Sequence, residues 1–433
     1  MVNSVRPNNS KKLSSLLETH FKWLQEVLKK SETKRIYNIS LPHLALFLVY
    51  LNEQFIVIED SDDHASNLYK DLQVFSSMIK KEPSQILYIP PLSGLETAGK
   101  RAKAFLDLKR LSSASIVLSK ESYLSGYSFP DIEGKALDIA INKEIERQRL
   151  EEWLLSNGYK KVSMVIEKGE FSHRGWIFDI FPVTEEMPIR IEFFGDQVDL
   201  IREFDIETQR SISELEGLTI YSAFEGEQQN KILELSDFRN AHIFVADSCM
   251  ELLEDSDESE NLVSFSHLPF IGQGIDSMES PIRGLGITPE ERKGMEDIVP
   301  IFKNIDKRIV IIFPSSAQAE RFKEILFESD IIAPVLDKKD INSFEGNICI
   351  STGRLSSGFN LPTLLFLTDR EIFGERPAYR PTKKSKVSRL LLTIEDLNPN
   401  DYVVHKEHGI GRFIGLERQK TGDYEEDLII IEY

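Results

Sequence analysis

Several stretches of this 433-residue chain place residue types at spacings that could support chemistry. Gly94-Leu95-Glu96-Thr97-Ala98-Gly99-Lys100 has the glycine and lysine spacing of a phosphate-binding loop, in which backbone N–H groups approach phosphates and a lysine neutralises them. Residue 101 is Arg, so the hydroxyl that would hold magnesium is absent, and Pro90-Pro91 separates the motif from the strand before it. The motif is therefore a near miss, and the same residues read better as a helix start. The run from Leu364 to Thr368, followed by Asp369 and Glu371, imitates the apolar strand and acid that hold magnesium in ATPases, but without a phosphate loop it has no nucleotide to serve. His173 has no carboxylate, Ser or Cys at catalytic spacing and reads as a surface-loop residue. His405 and His408 lack a Cys or further ligand nearby, and Cys249 and Cys349 stand alone, so neither zinc nor a disulfide framework is indicated. No catalytic motif, cofactor site or metal site is therefore read in the chain.

These groups ride on alternating strands and helices. Residues 13–28 carry Leu16, Leu17, Phe21, Leu24, Val27 and Leu28 at helical spacing, and 55–58 form a short buried strand followed by acidic and Ser residues that can cap a helix near His64. Strand signals return at 86–89 and 116–118 around a helix expected over 100–111, which predicts a mainly parallel sheet. A charged helix is expected over 136–155. Residues 242–246 read as a buried strand, and 251–260 as a solvated acidic run. A second α/β unit opens at 309–313, with Ser315-Ser316 capping a helix over 317–327 and strands at 348–350 and 364–367. Residues 377–389, Pro-containing and basic, have the composition of an exposed linker.

The clearest regular pattern lies between Arg174 and Arg210. Trp176, Phe178 and Ile180 alternate with Ile177, Asp179 and Phe181, and Ile189, Ile191 and Phe193 alternate with Arg190, Glu192 and Phe194, the period of two of a strand. Gly195-Asp196 suits a tight hairpin turn into a further run through Val198, Leu200 and Arg202. A small antiparallel sheet is expected. If Ile189, Ile191 and Phe193 face its core, then Arg190, Glu192 and Phe194 share the opposite face, where an outward Phe among charges is a typical docking anchor. Packing of Phe194 beneath a loop, or a slip of parity at the turn, would serve the pattern as well.

Composition bounds the function. The net charge of −19 argues against a surface that grips nucleic acid throughout. No N-terminal signal core and no apolar run of membrane-spanning length is present, so a soluble, cytoplasmic protein is expected.

The run PIRIEFFGDQVDLIREFDIETQRSI resembles the sheet domain shared by the excision-repair subunit UvrB and the transcription-repair coupling factors, the part of both that docks onto UvrA. By motif, the resemblance assigns the UvrA contact to Arg174, Arg190 and Phe194. The phrase DREIFGERPAYR is similar to the end of the coupling factors' third domain, and VVHKEHGIGRF to the start of their RNA-polymerase-interaction module, a small barrel also found in CarD-type regulators. The implied fold is α/β and multidomain. It comprises a UvrB-like, degenerate helicase-type parallel sheet (1–130, returning at 219–300), an inserted antiparallel sheet domain (131–218), a small α/β domain (301–382), a linker (383–397) and the start of a small β-barrel (398–433).

The family implies an adaptor that brings UvrA to RNA polymerase stalled at DNA damage, with the polymerase β subunit as the second partner. The chain is expected to be the N-terminal portion of a longer monomeric protein, whose motor domains would hold ATP and magnesium, engage DNA and release the polymerase. Two alternatives are a UvrB-like ATPase using Gly94 to Lys100 and a CarD-type transcription regulator. No counterpart of UvrB's long aromatic DNA-clamping hairpin is read.

Overall fold

The computed structural model describes residues 12–30, 34–79, 85–111, 113–125, 133–206, 208–224, 241–253, 261–268, 274–374, 402–405, 409–421 and 424–432. The first elements are α1 (Leu13–Lys30), β1 (Arg35–Tyr37), α2 (Leu41–Leu51), β2 (Phe55–Glu59), α3 (Asp62–Met78), β3 (Gln85–Ile89), α4 (Leu95–Arg110), β4 (Ala114–Ser119) and α5 (Lys120–Ser125). They are followed by β5 (Ala136–Ala140), α6 (Arg147–Ser156), β6 (Lys160–Lys161), β7 (Glu170–Arg174), β8 (Ile177–Ile180), β9 (Ile189–Phe194), β10 (Gln197–Phe204), β11 (Ser211–Glu214) and β12 (Gly217–Tyr221). Then come β13 (His242–Ala246), β14 (Leu262–Phe265), β15 (Ile275–Asp276), α7 (Ile298–Asn304), β16 (Arg308–Phe313), α8 (Ser316–Glu328), α9 (Lys338–Ile341), β17 (Ile348–Thr352), β18 (Phe359–Asn360), β19 (Leu364–Thr368) and α10 (Asp369–Phe373). The last strands are β20 (Tyr402–His405), β21 (Gly409–Thr421) and β22 (Tyr424–Glu432). Two compact units result, one of residues 1–204 and 211–377, the other of 205–210 and 378–433.

The largest sheet has seven parallel strands in the order β15-β1-β14-β13-β2-β4-β3, so strands on either side of residues 136–221 join one sheet. Its central strands are apolar runs rather than alternations: β2 and β4 are buried at every position, as a sheet covered on both faces requires. On α1, Leu13, Leu17, Phe21, Leu24 and Leu28 form the buried stripe that lies on this core. Ser61 caps α3 by accepting from the His64 backbone N–H, and α2, buried almost throughout, stops where Asn52 enters the left-handed region.

The second sheet has the order β11-β10-β9-β8-β7-β6 and is antiparallel apart from the short β6–β7 pair. β5 and β12 form a separate antiparallel ladder beside it. Here the expected charged helix over 136–155 is corrected. Leu137 and Ile139 alternate with Asp138 and pair with Ile220 and Leu218, Asn142 then turns the chain at a φ of 66°, and only Arg147–Ser156 is helical. A smaller sheet, β17-β16-β19-β18, follows the second α/β pattern, with Ser315 capping α8. Its strand β16 feeds two cores by parity: Val310 and Ile312 join the core of the seven-stranded sheet, while Ile309, Ile311 and Phe313 pack with Phe322 and Leu326 of α8. In the second unit, β20, β21 and β22 form a three-stranded antiparallel meander. The basic stretch 377–389 and His408 lie outside the described residues. Among the described residues, no helix is long and apolar enough to cross a membrane.

Candidate functional site

The phosphate-loop spacing at Gly94–Lys100 is used for packing instead. Gly94 is the N-cap of α4, and the helix begins at Leu95, five residues earlier than expected, so Leu95–Lys100 is already helical. Gly99 is required by proximity, because a Cβ there would lie 2.2 Å from Cγ2 of Val183. Lys100 is turned to solvent and pairs with Glu96 one helical turn back, at 2.8 Å. The buried cation is Arg101, whose Nη1 donates to the Pro90 carbonyl at 2.7 Å and to the Ser122 hydroxyl at 3.3 Å. Of the acidic residues after β19, Glu371 is likewise occupied. Glu371 closes a capping box with Thr368 and accepts from the Gly358 N–H at 2.9 Å.

His173 is corrected from a loop residue to a strand residue. It sits opposite Phe178 in the β7–β8 register, stacks on that ring at 4.1 Å, and faces the Glu151 carboxylate at 2.9 Å. Cys249 and Cys349 are both buried, and burial pushes the Cys349 thiol up to about 12, so neither is a reactive thiol.

The outer face of the β7–β10 sheet is arranged differently. β9 buries Ile189, Ile191 and Phe193 and turns Arg190, Glu192 and Phe194 the other way. Phe194 is 81% exposed, at the β9–β10 hairpin where Gly195 supplies the positive φ of 65° that the turn needs. Asp179 lies opposite Arg190 in the β8–β9 register. Its carboxylate is fully buried and accepts from Arg190 Nε at 2.7 Å, Arg190 Nη2 at 3.0 Å and Arg174 Nη2 at 3.2 Å. A single acid therefore fixes both arginines, and its hydrogen bonds raise the Arg190 guanidinium further above its already high value. Arg190 also lies over the Phe204 ring at 4.8 Å. Two arginines on one aspartate leave this trio net cationic within an acidic chain.

Beside it, Arg202 pairs with Glu192 across the β9–β10 strands. Trp176, placed by its alternation on a strand, lies instead in the β7–β8 turn, 59% exposed and covered by Arg147 at 4.7 Å. Asp179 is the residue that the sequence pattern did not single out. Its signal was an acid out of phase with Phe178 and Ile180, on a strand otherwise apolar.

Residues 137–225 match the model of the UvrB interaction domain, and residues 397–433 that of the CarD-like/TRCF RID domain. The transcription-repair-coupling factors of Staphylococcus haemolyticus (strain JCSC1435) and Staphylococcus aureus (strain MRSA252) are each 26% identical to the chain, with 69% of this chain and 34% of the relative covered. The chain thus spans about a third of the length of the curated relatives it matches. By these matches the chain is similar to the transcription-repair-coupling factors and resembles their N-terminal part.

Proposed function

We propose that this chain is an adaptor of transcription-coupled excision repair, and that the face carrying Arg174, Arg190 and Phe194 docks onto UvrA. The observation that carries the reading is the exposed Phe194 on the same sheet face as two arginines held in place by buried Asp179, within residues matched by the UvrB interaction domain. An aromatic ring already turned to water loses little on leaving it and gains a pocket, while fixed guanidiniums match carboxylates without a further ordering cost. The net cationic trio selects an acidic partner surface. The seven-stranded sheet is read as a UvrB-like sheet whose nucleotide site has degenerated, and no residue of this chain is assigned to ATP hydrolysis.

The strands within 397–433 support a second contact, with the RNA polymerase β subunit, made by adding a strand edge. Release of stalled polymerase by ATP-driven translocation would belong to motor domains outside these residues. Calorimetric titration of the chain with UvrA tests the reading: the wild type binds, and Arg190→Ala with Phe194→Ala removes most of the affinity while the fold persists. Binding of nucleotide that is lost on Lys100→Ala would favour the ATPase alternative instead, and polymerase binding without UvrA binding would favour a CarD-type regulator.

A further inference from the structure

A separate constellation lies at the carboxyl edge of the seven-stranded sheet. β2 and β13 are neighbours there, but β2 leads through α3 toward β3 on one side and β13 leads to β14 on the other. Diverging connections of this kind open a crevice at the strand ends, where such sheets place their ligands. Glu59 is the last residue of β2, His64 is in the first turn of α3, and His267 follows β14 by two residues. One ligand atom from each of these three side chains lies within 4.8 Å of the other two.

The groups are set up as ligands are. Glu59 is wholly buried; its Oε2 faces His267 Nε2 at 3.2 Å, and its Oε1, also buried, accepts no hydrogen bond. A buried carboxylate oxygen without a donor is a rare and costly state that a cation would relieve. His267 Nδ1 donates to the Ile39 carbonyl at 2.8 Å, which leaves Nε2 to face Glu59, and His64 Nδ1 is held by the Asp60 carboxylate at 2.7 Å. Carbonyl and carboxylate partners of this type orient metal-binding imidazoles. The segment Glu59-Asp60-Ser61-Asp62-Asp63 is acidic, which repels a phosphate and favours a cation. His64 is partly exposed and gives an ion a route in from solvent.

We propose that Glu59, His64 and His267 bind one divalent first-row transition-metal ion of the zinc and cobalt type. Two imidazoles and one carboxylate suit such an ion, whereas magnesium and calcium prefer all-oxygen sites. Three protein ligands leave a position for water. The ion ties the end of β2 to a segment 208 residues further along the chain, clasping the two sequence-distant parts of the sheet.

The test uses the chelator-treated chain, titrated with Co2+ by visible absorption and with Zn2+ by calorimetry, with Mg2+ in excess as competitor. One Co2+ per chain should give ligand-field bands that Zn2+ abolishes and Mg2+ does not. His64→Ala, at a partly exposed position, should leave the metal-free melting temperature unchanged and weaken Zn2+ binding at least ~10-fold. Glu59→Gln should weaken it likewise. Absence of the Co2+ bands, or wild-type Zn2+ affinity in His64→Ala, would overturn the proposal and reduce the cluster to a Glu59–His267 ion pair.

Discussion

Gly94–Lys100 and the Arg174–Phe194 face both hold residues that could bind a partner, and they differ in what the fold leaves over. At the first, every polar feature is consumed internally: Gly99 makes room for Val183, Lys100 pairs with Glu96, and Arg101 is sealed against Pro90 and Ser122. At the second, buried Asp179 organises two arginines while an aromatic ring on the same face stays in water. Motif spacing pointed to the first, and the strand's alternation pointed to the second. The contrast teaches that a glycine pattern has two physical causes, approach of a phosphate or approach of a side chain, and only the neighbours decide between them.

The comparison breaks most visibly at its anchor points. Phe194→Ala and Arg190→Ala should each cost about 2–4 kcal/mol of UvrA affinity, measured by calorimetry, because each truncates a central contact. Asp179→Ala should lower stability by about 3 kcal/mol in denaturant unfolding, since it strands the part-buried Arg190, and should weaken UvrA binding through both arginines at once. Gly99→Ala should destabilise by about 1–3 kcal/mol through the clash with Val183, with no change in nucleotide binding.

A pH series sharpens the point about groups consumed by the fold. Asp71 is buried, and burial raises its pKa to about 7 despite donation from the Ser356 N–H at 2.7 Å and hydroxyl at 2.5 Å. A carboxyl whose folded pKa lies above its unfolded value near 4 favours the folded state at low pH, and that contribution declines as pH rises from about 4 to 7. Asp71→Asn should flatten the pH dependence of unfolding across that window. The smallest effect belongs to Lys100→Ala, expected within about 0.5 kcal/mol of wild type in stability because its ion pair is exposed.

Much of this was legible in the chain. Buried runs such as Phe55–Glu59 announced the parallel sheet, and the outward parity of Arg190, Glu192 and Phe194 was readable from β9 alone. The elements missed share a cause. α2 is apolar almost throughout, so it shows no stripe to read. β5 lies in a stretch whose charges suited a helix, and only its partner β12, about eighty residues away, makes it a strand. Asp179 stands out locally only as an acid on an apolar strand, and its arginine partners are set across strands, beyond any local pattern. The meeting of Glu59 and His64 with His267 likewise depends on β14 returning to the sheet.

The central claim is that the exposed ring of Phe194 is a docking anchor rather than a stray surface residue. Calorimetric titration of UvrA into wild-type and Phe194→Ala chains, with melting temperatures of both, addresses it most directly. The account predicts an affinity loss of about 30-fold or more with an unchanged melting temperature, since the ring contributes almost nothing to the core. Equal affinity of the two chains for UvrA would contradict it.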